Sequence, residues 1–210
     1  VRLTVFGATG GTGRLLVAQA LAAGHEVTAV VRRNMPGPPD PRLRVVRADV
    51  CAPEELRLAL ASADAALSAL GASDARRPTR LYSAAALAIV VAMREASVRR
   101  LVAVTALPVA PPAEQDITHR HLVNPVLHRF FGGAYHDMRR LEEILARSDR
   151  DWTVLRPPYL SNGPGTGVWR WAVDAPLPRA WTLPRADLAA AMLAATTDSR
   201  LVGHAVNLAA

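Results

Sequence analysis

The sequence predicts a single α/β domain built on a doubly wound parallel sheet, with helices on both faces and a small lid region near its C-terminal end. Three observations carry that expectation. The chain has 210 residues, half of them apolar, which is enough for one sizeable core and leaves little room for a second. Strand-length apolar runs alternate with helix-length stretches along most of it, and parallel strands need such covering segments between them. A glycine-rich turn lies between the first run and the first helix.

In chain order, residues 2–6 form a first strand and 12–23 an alanine-rich helix that stops at Gly24. Residues 26–31 and 43–47 supply two more strands, and 53–61 a helix opened by Pro53. A strand at 64–70, a long helix at 80–96 and a fifth strand at 100–105 continue the alternation. Pro108, Pro111 and Pro112 then stiffen a loop. A His- and Arg-rich stretch, 117–131, is expected to be helical and to end at Gly132-Gly133, with a separate helix over 135–148. A sixth strand falls at 152–156, a helix at 185–197 and a last short strand at 205–208. Between them, 157–184 is a loop-rich excursion, the expected substrate lid, because long irregular segments in a small domain are usually functional.

The turn Gly7-Ala8-Thr9-Gly10-Gly11-Thr12-Gly13 is the strongest motif. Its glycines let backbone approach a pyrophosphate, while the helix N-terminus turns free N–H groups and a positive dipole end toward the negative charge. The strand before and the helix after give the motif its weight. At the end of the second strand, an acidic residue would accept bonds from the ribose hydroxyls of NAD. Here Arg32 and Arg33 stand instead; guanidinium groups suit a 2′-phosphate, which favours NADP(H) as cofactor.

With these residues in place, the chain resembles the atypical short-chain dehydrogenases/reductases with an NAD(P)H-binding Rossmann fold, the group of biliverdin-IXβ/flavin reductases and NmrA-like proteins. The likeness runs through the glycine turn, Val31-Arg32, Ala48-Asp49-Val50, Leu70-Gly71, Val104-Thr105, the segment from Trp152 to Pro158, and Arg185-Ala186-Asp187-Leu188. It implies Asp49 and Val50 beside the adenine, Leu70 and Gly71 along the ribose and pyrophosphate, and Thr105 and Pro157 near the nicotinamide. Two departures limit it. Many short-chain dehydrogenases use a Tyr-x-x-x-Lys pair, and all 25 non-histidine basic residues here are arginine. The nearest substitute is Tyr135 with Arg139, which share a helical face, although their register against Leu141–Leu145 is one residue off the usual positions. Ala106 also stands after Thr105, where flavin-reductase-like members often carry serine.

The expected activity is reduction of a small organic substrate (a carbonyl, quinone, flavin or conjugated system) by hydride from NADPH. Tyr135 is the candidate proton donor, with Arg139 lowering its pKa, Thr105 bonding substrate or nicotinamide, and Tyr159 and His136 in reserve. Tyr159, Trp169 and Trp171 are candidate substrate contacts in the lid. An NADP-binding sensor without turnover, or a non-redox isomerase or cyclase, would use the same fold.

Composition removes other classes. The charge of +7 is spread over arginine pairs in different elements, without the basic stripe or interleaved aromatics of a nucleic-acid site. Cys51 is the single cysteine, so no intrachain disulfide or cysteine metal cage forms. His119, His121, His128 and His136 cluster loosely in a helical or irregular stretch with arginines between them and without an obvious carboxylate third ligand, and no metal is expected. There is no G-x-S-x-G hydrolase elbow, no membrane-length apolar run, and no signal-peptide pattern after Val1. The expectations are a cytoplasmic location and a monomer or small homo-oligomer whose partner is a small-molecule substrate.

Overall fold

The computed structural model describes residues 1–35, 39–72 and 74–210. Strand β1 (Arg2–Phe6) leads through the glycine turn into α1 (Gly11–Ala22), and β2 (Glu26–Val31) and β3 (Leu43–Arg47) follow. Then come α2 (Pro53–Leu60), β4 (Ala65–Ser68), α3 (Leu81–Glu95), β5 (Arg100–Val104), α4 (Asn124–Ala146) and β6 (Asp151–Arg156). The chain closes with β7 (Tyr159–Ser161), β8 (Arg170–Val173), β9 (Thr182–Pro184), α5 (Arg185–Thr197) and β10 (His204–Ala209).

The main sheet has the order β3-β2-β1-β4-β5-β6-β10-β8. β1 pairs in parallel with β2 on one side, Arg2 opposite Glu26, and with β4 on the other, Leu3 opposite Ala65. Strand order therefore reverses between β1 and β4, and the crevice at their carboxyl ends is where open α/β sheets bind ligands. The inner strands are mostly apolar because both sheet faces are covered, with Thr4, Ser68 and Thr153 buried among them. Leu56, Ile89, Met93, Leu141 and Leu145, from α2, α3 and α4, fill one face; Leu16, Leu188 and Met192, from α1 and α5, fill the other.

The doubly wound, mostly parallel sheet is as expected, with one antiparallel edge strand, β8, which pairs with β10, Val206 opposite Val173. One expectation is corrected. The stretch expected to break at Gly132-Gly133 is one helix, α4, entered through a wide turn at His119–Val123. Gly133 is there for close approach: a Cβ on it would stand 2.9 Å from Cα of Pro78, so the glycine lets the loop before α3 lie against the helix. The same helix caps its neighbour. Arg80, at the N-terminus of α3, has no side-chain acceptor to offer, and the Asp137 carboxylate receives the Tyr82 N–H at 2.8 Å together with the Ser83 hydroxyl. A carboxylate at a helix N-terminus satisfies orphan donors and complements the dipole.

Segment 157–184 is more ordered than the loop-rich excursion expected. β7 and β9 form a two-stranded parallel ribbon, and Asp187 holds the loop between β7 and β8. Its carboxylate accepts from N–H and hydroxyl of Thr166 and from N–H of Gly167, at 2.8–3.0 Å. Burial alone would raise the pKa of Asp187; these donors outweigh it and hold the carboxyl below its ordinary range.

Candidate functional site

A cavity of about 560 Å³ opens at the carboxyl ends of β1 and β4. Gly7, Thr9, Gly10, Gly11 and Thr12 form one wall, Arg32 and Val50 stand at the side of β2 and β3, and Leu70, Gly71 and Thr105 continue toward β5. The turn is built for backbone approach. Gly7 has φ +76°, and a Cβ on it would lie 2.6 Å from the Ala69 carbonyl oxygen. Gly10 caps α1 without a side chain, and no acidic residue occupies the first turn, so the leading N–H groups are left for a ligand. A phosphate-bearing group fits this cradle, since the leading N–H groups of α1 carry no side-chain cap and face no acidic residue.

Four of the sequence-derived cofactor residues lie outside the cavity wall. Gly13 sits behind it: a Cβ there would come within 2.8 Å of the Gly7 carbonyl carbon and closer still to its oxygen, so its glycine fixes the packing of α1 on β1. Arg33 is exposed beyond Arg32. Asp49 shapes a turn, its carboxylate accepting the Cys51 N–H at 2.9 Å. Pro157 is buried, its carbonyl accepting the Leu107 N–H at 2.8 Å.

On α4 the register decides which side chains reach the cavity. Ala134, Met138 and Glu142 follow one another at intervals of four; Met138 lines the cavity and Glu142 receives the Thr105 hydroxyl at 2.7 Å. Tyr135 and Arg139, one residue on, are rotated by about 100°. The Tyr135 ring packs against His128 and Phe131. Burial first, and Tyr82 second, push its pKa up to about 12. Arg139 donates to the Val109 carbonyl at 3.4 Å. The expected lowering of the tyrosine pKa by Arg139 is therefore corrected: the guanidinium is engaged elsewhere, and desolvation moves the phenol the other way. His136 is exposed, facing a separate depression with Arg80 and Arg140.

The residues expected to meet substrate in a lid disperse. Tyr159 is 77% exposed. Trp169 is half-buried against the core on the α1 and α5 side, and Trp171 lies on β8 opposite Leu208. Trp181 instead covers a histidine, its ring 4.6 Å from that of His119, whose Nδ1 meets Asp116 at 3.1 Å. Among the described residues no group of three or more His, Cys, Asp or Glu could hold a metal, and no helix is long and apolar enough to cross a membrane.

Several site residues escaped the sequence reading. Tyr82 lines the cavity, its hydroxyl accepting the Ala72 N–H at 3.0 Å. Behind Thr105, Arg156 bridges two carboxylates: it reaches Glu142 at 2.9 Å through Nε and 2.5 Å through Nη2, and Glu114 at 2.6 Å through Nη1. Burial alone would lower the Arg156 pKa, and the two glutamates outweigh it and raise it. Arg185, at the start of α5, also lines the cavity. The nearest sequence signals were Arg156 ahead of Pro157-Pro158 and the Arg185–Leu188 string, both noted for position without a role.

A glycine cradle at a helix N-terminus, set at the switch point of a doubly wound sheet, defines a nucleotide-binding protein of the Rossmann type. The sequence profile of the NAD(P)H-binding family matches residues 7–199, and the chain belongs to that family. An uncharacterized chloroplast protein of Arabidopsis thaliana is 30% identical over 177 residues, 79% of this chain and 61% of that one. The chain thus spans about three fifths of that relative's length. Among solved structures, an oxidoreductase of Lactococcus lactis superposes with a TM-score of 0.81 at 17% identity, covering 100% of this chain and 90% of the other. A wide-type short-chain dehydrogenase/reductase of Veillonella parvula, solved in complex with NADP, gives 0.82 at 17% identity over 100% and 94%. At such identities the likeness is one of fold.

Proposed function

We propose that the protein is an NADPH-dependent reductase of small organic substrates. The observation that carries this reading is the meeting, in one cavity, of the glycine cradle with Arg32 at the end of β2, where a carboxylate would favour NAD. The NADP held by the Veillonella structure of the same fold accords with it. When bound, the reduced nicotinamide supplies a hydride. The chain's own part is positioning. Backbone N–H groups of the turn receive the phosphates, and Arg32 meets the 2′-phosphate. Thr105 donates its proton to Glu142, so toward the cavity its oxygen is an acceptor, suited to an N–H or O–H on the ligand rather than to giving up a proton. Turnover of NADPH by purified protein, screened across flavins, quinones and aldehydes, tests the reading; no oxidation with any of them sinks it.

NADPH should bind more tightly than NADH by about ten- to a hundredfold, the value of charge-assisted bonds to the 2′-phosphate. Titration of each cofactor measures this. The double variant Arg32→Ala, Arg33→Ala should bring the two affinities together, and equal affinities in the wild type would remove the NADP assignment.

Tyr135→Phe should change turnover by less than about threefold, whereas an obligatory general acid is worth about a hundred- to ten-thousandfold. The phenol is pushed up to about 12 and its ring packs along its own helix toward His128 and Phe131. A hundredfold loss in kcat with unchanged cofactor affinity would return Tyr135 to the role expected from sequence.

One observation favours a second reading, an NADP sensor without turnover. Met138 is the residue of α4 that lines the cavity, and a thioether cannot move a proton. The same screen separates the two readings: a sensor binds NADPH and does not oxidise it, whichever acceptor is offered.

A further inference from the structure

Arg185 follows β9 directly, at the end of the lid segment, and its side chain runs back over the start of α1. A Cβ on Gly11 would stand 3.0 Å from both Cδ and Nε of Arg185, so the bare backbone at Gly11 gives the arginine its place. Nη1 donates to the Leu160 carbonyl at 2.9 Å and to Asn162 Oδ1 at 2.7 Å. Both acceptors belong to the root of the lid, at β7 and just after it. Among the described residues, Nε and Nη2 of Arg185 have no hydrogen-bond acceptor, and the side chain lines the cavity beside Gly10, Gly11 and Thr12. A guanidinium has donors on more than one edge. Here one edge is committed to the lid and another is left open next to a helix N-terminus that carries no acidic residue. Two positive features converge on one spot, which selects an anion.

We propose that Arg185 is a ligand of the cofactor diphosphate and, through the same side chain, the latch that couples dinucleotide binding to the lid root at Leu160 and Asn162. The inference rests on the nicotinamide-dinucleotide reading of the cavity. A diphosphate takes the open edge of the guanidinium while Nη1 keeps the lid, so occupancy of the cradle restrains residues 159–168. A lysine serves both less well, because its three donors sit on one compact ammonium instead of on the separate edges of a planar fork.

The test uses the full chain and two readouts apart from activity. The first is the dissociation constant for NADPH, for 2′-phospho-ADP-ribose, which keeps the diphosphate, and for 2′,5′-ADP, which has one phosphate in its place. Arg185→Gln should weaken the two diphosphate ligands by about ten- to a hundredfold, the range for a charge-assisted bond, and 2′,5′-ADP by less. The second is amide hydrogen exchange over 159–168 with each protein saturated by NADPH. The ligand should slow exchange in the wild type and leave it unslowed in Arg185→Gln, with Arg185→Lys intermediate in both slowing and affinity. Binding by Arg185→Gln within twofold of wild type overturns the phosphate role, and equal slowing in the variants overturns the latch. Equal weakening of all three ligands, or weakening only of an anionic substrate, overturns the assignment to the diphosphate. A wild type that binds no dinucleotide overturns the cofactor reading and this inference with it.

Discussion

Arg156→Met is expected to destabilise the protein by about 3–5 kcal/mol, the cost of removing one partner from a buried ionic group. The arginine side chain is 6% exposed and its two carboxylate partners, Glu114 and Glu142, are 18% and 15% exposed. Without the cation, two like charges share a poorly solvated space at the carboxyl ends of β5 and β6. Urea denaturation gives the measurement: the midpoint should fall with the slope unchanged, which marks a change in stability rather than in the unfolded ensemble. Removing the carboxylates as well, in Glu114→Gln, Glu142→Gln, Arg156→Met, should recover a large part of the loss, because the penalty belongs to the unpaired charges. A single variant within about 1 kcal/mol of wild type would mean that the network has no more weight than a surface pair.

Gly13→Val is expected to abolish dinucleotide binding in practice, by a hundredfold or more if two or more N–H to phosphate bonds at about 1.5–3 kcal/mol each are lost. It should also cost about 1–3 kcal/mol of stability through overpacking. The obstacle is backbone, the Gly7 carbonyl and, at 2.9 Å, Cα of Ala8, so no side-chain rotation relieves it and the turn itself must shift. Gly132→Ala is the matched control. Nothing lies within 4 Å of a Cβ there, and alanine in a helix interior is favoured over glycine by about 0.5–1 kcal/mol. Thermal melts of the two variants should move in opposite directions, and calorimetric titration should show NADPH affinity lost in Gly13→Val and kept in Gly132→Ala; unchanged NADPH affinity in Gly13→Val would show that the turn tolerates displacement.

The strands from β1 to β6 were legible because each is a short apolar run bounded by turn chemistry, and Arg32 because a strand end fixes its place in this topology. What failed were inferences about distance through space. Gly132-Gly133 looks like a helix stop, yet its meaning comes from Pro78, far away in sequence. Tyr135 and Arg139 share a face, as their spacing says, but a shift of one residue turns that face away from Met138 and Glu142. The pairing of Arg156 with Glu114 and Glu142 joins three separate elements and has no local signature at all. Trp169 and Trp171 looked alike in an irregular segment; an antiparallel edge strand placed one against the core and the other on the sheet's rim.

That edge strand also sets an order of assembly. β8 is made before β10, the neighbour that gives it hydrogen bonds in the sheet, and until β10 is in place β6 has an open flank and β8 has no template. Asn207, on β10 beside Arg156, donates to the carbonyls of Ala175 and Glu114, so the same late strand also fastens the segment after β8 and the loop that holds Glu114. The flank of the sheet beyond β6 is therefore completed last, whereas β3-β2-β1-β4-β5-β6 pair without it. A mutation that weakens β10 would first release the region between β8 and β9 by local opening, leaving the glycine cradle formed and able to bind.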